Sequence, residues 1–153
     1  MDPVTAIQCV SAIISFVDFG LKLVSKSHQI YSSVDGVLQD HAEQDAVARR
    51  LGDLADNLAN AIESSAKTRK LSAAEIALQK ITVECNASAA DFTAAIDEIR
   101  ATGTHKRWDS FRQALKAVWK KEDLEQHRGK LESYRLEAVT YLLVIIQYVL
   151  DLK

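Results

Sequence analysis

One proline and five glycines in 153 residues leave few places to break a helix or turn a strand. That scarcity excludes a strand-rich fold built on tight turns, and with 48% apolar residues it excludes disorder as well. Cys9 and Cys85 are too few for a disulfide framework. Each sits among small and apolar neighbours, as a buried free thiol in a reducing compartment would. No Cys/His spacing points to a metal. A net charge of -2 gives no global pull toward nucleic acid or an anionic membrane. No Lys or Arg precedes Lys22, so the apolar N-terminus lacks the basic start of a secretory signal.

What is present is helix-forming: alanine, leucine, lysine and glutamate are plentiful, and the expected class is all-α. The first two dozen residues are the most unusual. Val4, Ile7, Val10, Ile13, Ile14, Phe16, Val17, Phe19, Leu21 and Leu23 surround a narrow polar stripe of Gln8, Ser11, Ser15, Asp18 and Lys22 at steps of three and four. An ordinary surface helix has the reverse geometry. A helix this apolar belongs in the middle of a bundle, against a partner, or in a membrane. Gln8, Asp18 and Lys22 argue against a permanent span, since an ionisable group at bilayer depth costs roughly 2.5–3.5 kcal/mol. The resting state is expected to be cytoplasmic.

The spacing predicts five helical segments. The first starts at Asp2-Pro3, an N-cap followed by proline at the first helical position, and runs to about Ser33. Asp35-Gly36 marks a turn. The second, about Gln39 to Ser65, carries Ala42, Val47, Leu51, Leu54, Leu58 and Ile62 on one side. The third opens on the capping box Ser72-Ala-Ala-Glu75 and runs to about Ala101, with Ile76, Ile81, Val83, Phe92, Ile96 and Ile99. The fourth, about Lys106 to Lys120, places Trp108, Phe111, Leu115, Val118 and Trp119 on one face. The fifth spans about Glu122 to Leu152. Its apolar run from Ala138 to Leu150 is shorter than the ~20 residues that cross a bilayer, so a buried central helix is expected. Short connections predict an up-and-down bundle of four to five helices, one domain over residues 1–153. The apolar ending leads us to expect a longer protein.

No phosphate loop, dinucleotide fingerprint, nucleophile elbow or zinc-protease motif occurs, so neither catalysis nor a cofactor is expected. His28, His41, His105 and His127 lie beside polar residues and read as solvated. Charge is uneven: residues 1–66 balance to -5 and residues 104–135 to +4. Within the basic stretch Arg112, Lys116 and Lys120 fall on one helical face, and Lys106, Arg107 and Lys121 extend it. The patch could meet lipid phosphates at about 1 kcal/mol per base, or be a solvated face. Both tryptophans fall on the apolar side, so nucleic acid is not expected.

The opening MDPVTAI…ISFVDFGLKLVS, then IYSSVDG, then RWDSFRQALKAVWKKEDLEQHRGKLESYR, resembles the HeLo-like N-terminal domain of fungal NOD-like receptors of the STAND class. The resemblance covers Met1 to about Leu150. It implies a helical cell-death effector fused ahead of an in-cis nucleotide-binding oligomerisation domain. It also implies self-association, followed by action on anionic lipids of the plasma membrane, which the segment Val4–Leu23 would permeabilise. The stripe with Gln8, Asp18 and Lys22 would then line a pore or meet a neighbouring helix. No glycine zipper is present, only Gly20, so close packing would rest on Ala6, Ser11, Ala12 and Ser15. The alternative is a homotypic adaptor that scaffolds receptor oligomers without entering the membrane.

Overall fold

A computed structural model describes residues 1–24, 44–67, 70–101, 115 and 117–151. Among these residues there are four helices and no strand: α1 (Pro3–Val24), α2 (Gln44–Ala66), α3 (Ala73–Ala101) and α4 (Lys121–Asp151). The all-α bundle expected from the sequence is present. Leu115, Ala117 and Val118 are also helical, and the Trp119 N–H donates to the Leu115 carbonyl at 2.8 Å. Trp119 and Lys120 are no longer helical, and residues 106–114 and 116 of the fourth predicted segment lie outside the described residues. So do Asp35-Gly36 and the stretches expected to extend α1 to Ser33 and to start the second helix at Gln39.

Helix starts follow local chemistry. The Thr5 N–H donates to Asp2 Oδ1 at 2.6 Å, satisfying a donor the helix itself cannot. Hydrogen bonding from the Thr5 hydroxyl, and then from its backbone N–H, holds the Asp2 carboxyl below its ordinary value. At α3 the capping box closes both ways: the Glu75 N–H donates to Ser72 Oγ at 3.2 Å, and the Ser72 N–H donates to Glu75 Oε1 at 3.3 Å. At α4 the Lys120 N–H donates to Asp123 Oδ2 at 3.2 Å.

Cross-helix contacts set the directions. Asp18 pairs with Arg135, and Gly20 lies against Leu131, so α1 and α4 run antiparallel. Cys9 meets Ala61, and Ser15 shares a groove with Asn57, so α2 is antiparallel to α1 on another side. Met1 reaches Glu75 and Phe16 reaches Phe92, so α3 is parallel to α1. Helix α1 touches all three other helices. The layout is up-down-up-down with α1 and α3 across the diagonal.

The core follows the sequence stripes closely. Val47, Leu51, Leu54 and Leu58 of α2 are buried, as are Ile81, Phe92, Ile96 and Ile99 of α3. Ile76 and Val83 of α3 are instead exposed. Phe92 is the hub, meeting Phe16 edge-on at 5.6 Å and Trp119 at 4.9 Å. The buried Thr82 hydroxyl is satisfied within its own helix, donating to the Leu78 carbonyl at 2.8 Å, whereas the buried Ser88 hydroxyl has no hydrogen-bond partner among the described residues.

The apolar run of α4 departs from expectation. It is not a buried central helix. Ala138 and Ile145 are buried, but Val139, Leu143, Val144, Tyr148 and Leu150 are exposed, and so is Leu136 just before them. The central position is taken by α1. One face of α4 suffices to close the bundle, and apolarity around the rest of the helix has no partner among the described residues.

Candidate functional site

Helix α1 is the first candidate, and its placement is mixed. Val10, Ile13, Phe16, Val17, Phe19 and Leu23 are buried, while Ile14 and Leu21 are half-buried. Val4 is 74% exposed and Ile7 51%, so the most exposed apolar surface of the helix lies on its first two turns. The polar stripe faces outward as its spacing predicts: Gln8, Ser11 and Asp18 are exposed, and Ser15 and Lys22 half-buried. Gln8, Ser11 and Ser15 border a shallow groove of about 200 Å³ with Asn57 and Asn60 of α2. Asp18 accepts a 2.7 Å hydrogen bond from the Arg135 guanidinium, an exposed pair that contributes little to stability.

A second polar tether lies at the start of α1. The Met1 ammonium pairs with Glu75 of the α3 capping box, so one carboxylate caps α3 and holds the first residue of the chain. Burial raises the Glu75 carboxyl, but its hydrogen bonds to Met1 and Ser72 outweigh that and leave it below the ordinary value.

The basic patch is only partly visible. Lys106, Arg107, Arg112 and Lys116 lie outside the described residues, whereas Lys120 and Lys121 are exposed where α4 begins. His28, His41, Trp108 and His105 also lie outside them. His127 corrects the expectation of a solvated surface ring. It stacks on Trp119 at 4.0 Å with a 24° tilt and meets Phe92 edge-on at 5.4 Å. Burial lowers its pKa.

Nothing among the described residues is arranged as a nucleophile or a metal cluster. Burial raises the Cys9 thiol, which donates to the Ala61 carbonyl at 3.7 Å. Burial, reinforced by Glu84 and Glu137, raises Cys85 further. Neither is the low-pKa, accessible thiolate that covalent chemistry needs. A wider groove of about 650 Å³ separates α3 and α4, lined by Glu84, Ser88, Asp91, His127, Lys130 and Glu137 among others. Its charges are mixed.

The second apolar candidate was missed in the sequence: the outer face of α4. Both α1 and α4 contain a window long and apolar enough to cross a membrane by length and composition. Half of the α1 window is buried inside the bundle, against 11% of the α4 window. The signal was present in the spacing Leu136, Val139, Leu143, Ile146, Leu150.

A family model, SesA, described as the N-terminal domain on NACHT NTPases and P-loop NTPases, matches residues 10–133, most of the chain. No curated protein and no solved structure matches.

Proposed function

The chain belongs to the SesA family of N-terminal domains on NACHT and P-loop NTPases, and from that premise we propose that it is the effector domain of such an NTPase, acting on membranes through α1 once copies are clustered. The in-cis nucleotide-binding domain would supply the clustering. Cell death by permeabilisation of the plasma membrane, and kinship with HeLo-like domains, belong to the same proposal, as does the absence of enzymatic activity. The resting protein is cytoplasmic in this scheme.

The observation that carries the proposal is the double character of α1. Its length and composition suit a bilayer, its polar stripe already points away from the core, and its first two turns are exposed. Among the described residues two ion pairs hold it, Met1 with Glu75 and Asp18 with Arg135. Release is not free. Val10, Ile13, Phe16, Val17, Phe19, Leu23 and Val24 are buried, and at about 1.5–3 kcal/mol each their exposure to water would cost ~10–20 kcal/mol as an upper bound. That equals or exceeds the whole stability of an ordinary domain, about 5–15 kcal/mol. Extraction of α1 into water is therefore unfolding, and the same side chains must pass from core to lipid.

The test uses Val4→Asp with Ile7→Asp. Both sites are exposed near a helix N-terminus, where acids are tolerated, so stability should stay within about 0.5 kcal/mol. With the chain fused to an inducible oligomeriser, dye leakage from anionic vesicles should fall at least tenfold. Leakage equal to that of the unsubstituted chain removes α1 from the mechanism.

A second role, a scaffold that works only through protein contacts, is favoured by the central position of α1 in the core. It needs no rearrangement of the bundle. Sedimentation with and without vesicles separates the two: a scaffold clusters but leaves vesicles intact in the supernatant.

A further inference from the structure

The clustering step above needs a surface, and α4 has one that no described residue covers. Leu136, Val139, Leu143, Ile146 and Leu150 recur at intervals of three and four, the a and d positions of two successive heptads and the a position of the next. Leu136 is 71% exposed, Leu143 62% and Leu150 58%; Val139 is exposed and Ile146 half-buried. The face buried in the bundle, through Leu131, Tyr134, Ala138 and Ile145, is turned about a third of a revolution from it, and Leu142 on the near flank also packs against the core. One helix thus carries two apolar stripes, one inward and one outward.

We propose that the outward stripe of α4 is the seam along which copies of this chain pack, α4 against α4. The occupant follows from charge, size and residue type. No seam position is charged. The next positions around the helix are Thr140 and Gln147 on one flank and Leu142 and Val149 on the other, so identical copies set no like charges against each other. The nearest cation, Arg135, is engaged by Asp18, and Glu137 lines the α3–α4 groove. A lipid-surface helix would instead carry lysine or arginine beside its apolar face. Leucine at a with valine or isoleucine at d favours assemblies of more than two helices. The seam holds five side chains a copy, far fewer than the ~20–30 residues a side of a stable interface. Copies therefore stay apart when dilute and pack when tethered, because tethering raises their effective concentration.

The inference rests on the clustering in the proposed function, not on membrane entry. Its experiment is sedimentation without vesicles, with flotation on anionic vesicles as the control. Sedimentation of the 153-residue chain from micromolar to millimolar concentration should show weak association to trimers or tetramers. Leu136→Glu with Leu143→Glu should weaken it at least tenfold, and the milder pair Leu136→Ala with Leu143→Ala should weaken it with unchanged helicity. Single cysteines at 136 or 143 should crosslink between copies; one at the exposed Asp53 on α2 should not. Monomers or dimers alone, or association that survives the glutamates, overturn the proposal. So does a chain that stays monomeric yet floats with anionic vesicles through the same face. Failure of α1 to enter membranes leaves all these readouts unchanged.

Discussion

Glu75 ties two helix starts together, capping α3 through one oxygen and holding the Met1 ammonium through the other. Its carboxyl lies below the ordinary value in the folded chain because its hydrogen bonds outweigh burial. A depressed carboxylate contributes stability that is present above the unfolded pKa of about 4.3 and lost as pH falls through the folded value. Urea unfolding from pH 7 down to 3 should show that loss, and Glu75→Gln should flatten it while lowering stability at pH 7. Ser72→Ala removes the other half of the box and should cost about 1 kcal/mol. His127 acts in the same pH direction through the opposite charge. Burial lowers its pKa, Lys130 adds to that, and Asp91 and Asp123 oppose it. The unfolded ring takes up a proton first, near pH 6.5, so stability should drop as pH falls below that point. In His127→Gln this part of the slope should vanish. The stack on Trp119 was not legible in KEDLEQHRGK, where one histidine among seven charged or amide side chains reads as solvated; ring contacts across a bend leave no periodicity.

Glycines show how differently the elements are packed. A Cβ on Gly52 of α2 would meet nothing within 4 Å. Gly52→Ala should raise stability by about 1 kcal/mol, read from urea or thermal melts. A Cβ on Gly20 of α1 would lie 2.9 Å from Leu131 Cδ1 and 3.2 Å from Phe92 Cε2. Gly20→Ala should therefore lower stability, overpacking of roughly 1–3 kcal/mol exceeding the propensity gain. At this scale the sequence was legible wherever one face alone was apolar. The Asp2-Pro3 start, the α3 capping box and the leucine stripe of α2 all fold as their spacing predicts. The polar stripe of α1 was legible for the inverse reason, as the only polar face of an apolar helix. Helix α4 was not: a run apolar on every side has no amphipathic direction, so its spacing fits a core helix and a two-sided helix equally well. The heptad was visible, but only the bundle shows which stripe faces inward.

For the whole molecule, two apolar helices have unequal positions. Helix α1 is the pillar of the core and runs antiparallel beside α4, whose outer face is free of described neighbours. Under the proposed scheme the outer stripe of α4 packs copies that are already tethered and α1 carries the output, so that stripe can be altered without unfolding the bundle, whereas the buried face of α1 cannot. The most direct measurement places a fluorescent label on Ile7→Cys, an exposed site, with Cys9 and Cys85 shielded by burial. The chain, fused to an inducible oligomeriser, is mixed with anionic vesicles carrying a quencher in their lipid tails. The proposed function expects the label to be quenched on clustering, in step with dye leakage. Leakage with the label still bright, or full clustering with neither quenching nor leakage, would contradict it.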